Sequence, residues 1–150
     1  MSLRNLLKIG QLKEHPPDAA EVQRLLAAAG RSLADARVTT ISPETRFDAA
    51  YKAIMQAALA ALMAHGYRPD TNRPGHHATM VQGLSLTIGL APARVTVLDT
   101  LRRKRNLSDY TGEDLSDSSV GHCIVEAGQL LHDVTVWLDG NRPQLMIPQK

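Results

Sequence analysis

The chain has 150 residues, 43% of them hydrophobic but only 3% aromatic, and a formal net charge of +2. That length suits one domain with a real core, and Ala and Leu in place of aromatic residues favour packed helices over sheets. The small net charge excludes a molecule that is basic overall, so any attraction for polyanions has to be local, and the lone Cys123 excludes an internal disulfide and a cysteine-rich zinc site.

The opening, Met1-Ser2-Leu3-Arg4-Asn5, lacks the pattern of a secretory leader. No apolar run approaches the roughly 18 residues of a membrane span. A cytoplasmic chain without membrane contact is therefore expected. Leu3, Leu6, Leu7 and Leu12 suggest a short first helix closed by His15-Pro16-Pro17. Asp18 can cap a second helix carrying Val22, Leu25, Leu26, Ala29 and Leu33 at three- and four-residue steps, which Gly30 interrupts. Ser42-Pro43 is an N-cap with proline at the first helical position. Phe47, Ala50, Ile54, Ala57, Ala58, Ala61 and Leu62 then form an apolar face up to Gly66, opposite Asp48, Lys52 and Gln56.

A polar loop follows from Tyr67 to Gly75. The next helix begins at His76-His77, buries Met80, Val81, Leu84 and Ile88, and ends near Gly89. Pro92 opens another, with Val97, Leu98 and Leu101 on its core side. Ser116 or Asp117 caps the last, where Val120, Cys123, Ile124, Ala127, Leu130, Leu131, Val134, Trp137 and Leu138 recur up to Gly140 and Pro143. The pattern predicts an all-α, up-and-down bundle of about five to six helices. It forms a single domain over 1–150, with N-terminal helices in 1–40, a core bundle in 42–138 and a tail in 140–150.

The densest polar cluster is Arg102-Arg103-Lys104-Arg105-Asn106 with Asp109-Tyr110. Arg103 lies four residues after Asp99, which makes a solvated pair the simplest reading. Arg105 shares the stripe of Leu98 and Leu101, and an inward guanidinium has to be paired or face a wet cleft. Asp109 and Glu126 are the candidate partners, and both a charge clamp and a binding role remain open. Asn106 can end a helix, and Tyr110 suits packing beneath the turn.

His122, Glu126, Gln129 and Asp133 read as a solvated row on the last helix. Adjacent His76 and His77 point about 100° apart and cannot act as a paired metal motif. His77 is expected to cap or pack, and His76 to look into the cleft that the loop borders. No metal or cofactor is called for, and Cys123 reads as a small core residue.

Two stretches, Arg46-Phe47-Asp48-Ala49-Ala50-Tyr51-Lys52-Ala53-Ile54 with the later His76-His77, and Leu101–Tyr110 before the amphipathic last helix, resemble the HEPN family. These are small helical bundles of prokaryotic toxin–antitoxin and defence systems. The resemblance covers roughly residues 40–138 and rests on the Arg-Asn-x-x-Asp-Tyr turn. It implies a homodimer with two Arg-bearing turns at a shared cleft. It also implies RNA, a nucleotide or a partner protein, such as a nucleotidyltransferase-like antitoxin, as the ligand.

In active members an arginine holds the scissile phosphate, and a histidine a few residues on moves protons around the attack of the ribose 2′-hydroxyl. Here Arg105 and Asn106 match the start of that motif, but the histidine is absent. Tyr110 occupies the shortest spacing, and Thr111 and Gly112 the longer ones. Arg105, Asp109 and Tyr110 are the candidate catalytic residues. Arg102, Arg105, Asn106, Asp109, Tyr110, Glu126 and His76 are the candidate ligand-binding set. A non-catalytic or weakly ribonucleolytic module is expected.

Two other classes compete. A helix–turn–helix DNA reader would use Leu84, Ser85, Ile88, Gly89, Val95 and Leu98, and needs Arg94 exposed. A structural or regulatory dimerisation module would keep Arg105 only as a clamp.

Overall fold

In the computed structural model, which describes residues 1–148, the chain runs α1 (Leu3–Lys8), β1 (Leu12–Glu14), α2 (Ala19–Ala36), α3 (Pro43–Ala64), β2 (Tyr67–Pro69), α4 (His76–Gln82), α5 (Leu84–Thr87), α6 (Pro92–Thr111), α7 (Asp117–Asn141) and a 3-10 turn, Pro143–Leu145. The expected start signals are realised. Asp18 accepts from the Glu21 amide, Ser42 from Thr45 and Ser116 from Ser119, and Pro92 stands at the start of α6. Each cap satisfies an amide that has no partner inside its helix. No described helix is long and apolar enough to cross a membrane.

The fold is an all-α helical bundle arranged around α3. Phe47, Ala50, Ala53, Ile54, Ala57, Ala60 and Ala61 have no solvent exposure, and they point to several sides of one helix, the pattern of a central element. The alanines let α2 and α7 approach closely, while Val120, Cys123, Ala127, Leu130, Val134 and Leu138 of α7 complete the core. Of the three residues expected on the wet face of α3, Asp48 and Lys52 are exposed, but Gln56 accepts a hydrogen bond from Ser32 of α2 at 2.9 Å.

Several boundaries differ from the sequence reading. Leu12 belongs not to the first helix but to β1. Gly10, at φ +80°, turns the chain there, and β1 pairs antiparallel with β2 in the register Leu12↔Pro69. The polar loop therefore begins as a strand. Gly30 does not interrupt α2, because Ala29 and Leu33 hold both sides of it in the core. Conversely, the helix from His76 breaks at Gly83 into α4 and α5.

α6 does not end at Asn106. It continues to Thr111, and Gly112 at φ +69° provides the left-handed cap. α7 passes Gly140 and stops at Asn141 before Pro143. The tail is docked, since Gln23 donates to the carbonyls of Leu145 and Ile147 and Leu145 is buried. The last two residues of the expected tail, Gln149 and Lys150, lie outside the described residues.

His65 closes α3 against α5 and α7. Its Nε2 donates to the Thr87 carbonyl at 2.8 Å, and its ring stacks 4.9 Å from Trp137. Burial pushes its pKa below the usual 6.5, with the Thr87 bond opposing and Arg142 assisting.

Two outcomes are expected. Phe47→Ala should cost about 3–5 kcal/mol, read as a lower urea midpoint at unchanged slope. For His65 the unfolded chain takes up the proton first, so its contribution is complete above the ordinary histidine pKa and is lost as pH falls through the lowered folded value. Urea unfolding should therefore weaken from neutral pH downward, and His65→Gln should flatten that slope. An unchanged slope in the variant would refute this role.

Candidate functional site

Positions 102, 105 and 109 recur at helical spacing, so one face of α6 carries Arg102, Arg105 and Asp109. Its neighbours are the first half of α3 and the start of α4. Arg102 donates from Nε to Asp99 at 2.9 Å, and the same carboxylate lies 3.0 Å from Nε of Arg103. Asp99 is buried, and two guanidiniums compensate its charge. The expected Asp99–Arg103 pair is thus present but shared.

Arg105 lies with Nε 3.3 Å from Asp109 and 3.6 Å from Asp48 on α3. Its guanidinium carbon is 5.1 Å from the centre of the Tyr51 ring, within cation–π range. The Nε atom is closed off from solvent without a well-formed hydrogen bond. Arg102 and Arg105 therefore share a geometry. The inner nitrogen is held by carboxylate, while the terminal nitrogens make no hydrogen bond among the described residues and remain open to solvent. The side chains are 18% and 31% exposed.

Tyr51 is 3% exposed, and its hydroxyl lies 3.0 Å from Nδ1 of His77. The His76 ring meets the His77 ring edge-on at 4.6 Å. Burial pushes the Tyr51 phenol up to about 12 against the opposing pull of Arg105 and Arg102, so it stays protonated. Burial likewise lowers His77, helped by His76, Arg105 and Arg102. Asp48 is raised by burial and by Asp109, with Arg105 opposing. Near neutral pH the cluster thus holds a neutral imidazole beside two charged guanidiniums.

Four of the expected site residues converge here: Arg102, Arg105 and Asp109 directly, and His76 through His77. Three do not. Glu126 is not a partner of Arg105, because it lies on α7 within 3.9 Å of Arg94 and 3.7 Å of His122. Tyr110 does not pack beneath a turn: α6 continues through it, and the side chain is 90% exposed. Asn106 sits within the helix and makes no side-chain hydrogen bond among the described residues.

Asp48, Tyr51 and His77 complete the cluster without having been singled out for it. Tyr51 follows Phe47 by four residues and shares its apolar side, but spacing carries no mark of its partner on α4. Cys123 is a buried core residue whose thiol is pushed up to about 12 by burial. Among the described residues no group of three or more His, Cys, Asp or Glu is placed to share a metal ion.

The row on α7 is structural. Arg94 of α6 pairs with Asp133, lies near Glu126, and is 29% exposed, while Gln129 donates to Asp133. Arg94 therefore lacks the freedom that a DNA-reading helix requires. Arg94→Ala should cost about 1–2 kcal/mol, a value between exposed and buried pairs, measured by urea unfolding. Arg94→Lys should recover only part of it, because an ammonium lacks the guanidinium fork.

No family model, curated protein or solved structure matches this chain.

Proposed function

We propose that this chain is a HEPN-like cytoplasmic module that pairs as a homodimer and binds RNA or a nucleotide at the surface cluster of Arg102 and Arg105, beside Tyr51 and His77. One observation carries this reading. Two guanidiniums, one helical turn apart, are each held at Nε by carboxylate while their terminal nitrogens stay free. An arginine anchored on its inner edge presents a fixed fork to a phosphate and loses little side-chain freedom on binding. The carboxylates position the guanidiniums and also restrain the attraction, so binding should be local and modest rather than that of a polybasic surface. A nucleotidyltransferase-like protein is the corresponding protein partner in this reading.

Arg105 separates this function from a mere clamp. Because its pairs are half-exposed, Arg105→Ala should change stability by no more than about 1 kcal/mol. The same substitution should weaken binding of a fluorescein-labelled single-stranded RNA by about tenfold or more in anisotropy titrations. Arg102→Ala should act in the same direction. Unchanged RNA affinity in Arg105→Ala, with or without a loss of stability, would overturn the proposal in favour of the clamp.

A further inference from the structure

We infer that the solvent face of α7 is an interface between two copies of this chain, paired antiparallel about a two-fold axis. The inference rests on the homodimer of the reading above and names its surface. None of Arg102, Arg105, Tyr51 and His77 lies on that helix.

From Gly121 to Gly140 the exposed residues of α7 fall symmetrically about a point between Leu130 and Leu131. Such spacing belongs to any exposed helical stripe. The residue types on this one make it self-complementary. In an isologous contact each position meets its mirror position on the other copy. Val125 is then brought to Val136, and the two are 66% and 55% exposed in the single chain. His122 is brought to Asp139, whose carboxylate makes no hydrogen bond or ion pair among the described residues. Gln129 is brought to His132. Its Nε2 already donates to Asp133 at 2.9 Å, which leaves Oε1 to accept from an imidazole that has no hydrogen-bond partner among the described residues.

The glycines are an independent observation. Gly121 and Gly140 mirror each other at the two ends of the stripe, and neither has a positive φ that would require glycine. A Cβ at either position would meet no other element within 4 Å. Within one copy, glycine at position 121 only weakens the helix, since alanine would fit and favour it. Against a second copy, the missing side chains let two helix backbones approach closely.

A groove of about 580 Å³ runs beside Val136, lined by Ile88, Leu90, Ala91 and Trp137. The two-fold axis sets Val125 of the partner subunit at its rim, so each copy offers one valine and receives one. The stripe is about 28 Å long at about 1.5 Å per residue. A contact of one helix over that length is at the small end of specific interfaces, which sets the expected dissociation constant in the micromolar range.

The test is sedimentation velocity of the full chain from about 1 to 200 µM, in which monomer should convert to dimer. Gly121→Leu should raise the dissociation constant by about tenfold or more without lowering the urea midpoint, because the added side chain meets only the other copy. Val125→Cys combined with Val136→Cys should give a covalent dimer with diamide. Neither single variant should do so, because like positions lie about 16 Å apart in an antiparallel pair and the natural Cys123 is buried.

A monomer at every concentration overturns the inference together with the homodimer reading. A dimer that Gly121→Leu leaves intact overturns the inference and leaves the homodimer to another surface. A double variant that does not cross-link, or a single variant that does, overturns it in the same way.

Discussion

The burial of α3 is the constraint on which the rest of the molecule depends. Its apolar residues face several sides at once, so α2 and α7 pack against it to remove that surface from water and the remaining elements are arranged around the trio. Small side chains let the neighbours pack closely, but they leave few large apolar groups to specify orientation. Phe47 and Ile54 supply that role within α3. Toward its N-terminal end the helix reaches the surface at Asp48, and the polar cluster forms there. The polar cluster therefore sits at the edge of the central, most deeply buried helix, which fixes the positions of Asp48 and Tyr51.

Carboxylates serve two different ends in this fold. On α7, Asp133 and Glu126 grip Arg94 and tie two long helices together. On α6, Asp99 and Asp109, with Asp48 from α3, hold Arg102 and Arg105 only by the inner nitrogen. The first arrangement uses the charge of the guanidinium; the second orients it and leaves its donors available. A count of acidic and basic residues would treat these two clusters alike, and only the direction of each guanidinium separates them.

Most of the architecture was legible in the residues. Ser42-Pro43, Asp18 and Ser116 mark helix starts because their side chains satisfy amides locally, and the apolar period of α7 follows from a single face being buried. β1 and β2 were not legible, because three-residue strands are too short to show alternation and their pairing is non-local. Arg105 facing inward beside Asp109 was readable from helical phase. Its contact with Asp48, and the meeting of Tyr51 with His77, join separate helices and leave no mark in local spacing. Tyr110 was misplaced because Asn106 resembles a helix end, whereas Gly112 has the better stop chemistry.

The short ladder between β1 and β2 bears on the order of folding. Its partners are separated in the chain by the whole of α2 and α3, so it gains its hydrogen bonds only after those helices have met. The segment leading to α4 is fastened by this late closure, with Asp70 donating its amide to the Gln11 carbonyl and Arg73 reaching the carbonyl of Ile9. His76 and His77 are thus held beside Tyr51 by a connection whose anchoring depends on α2 and α3 being packed together.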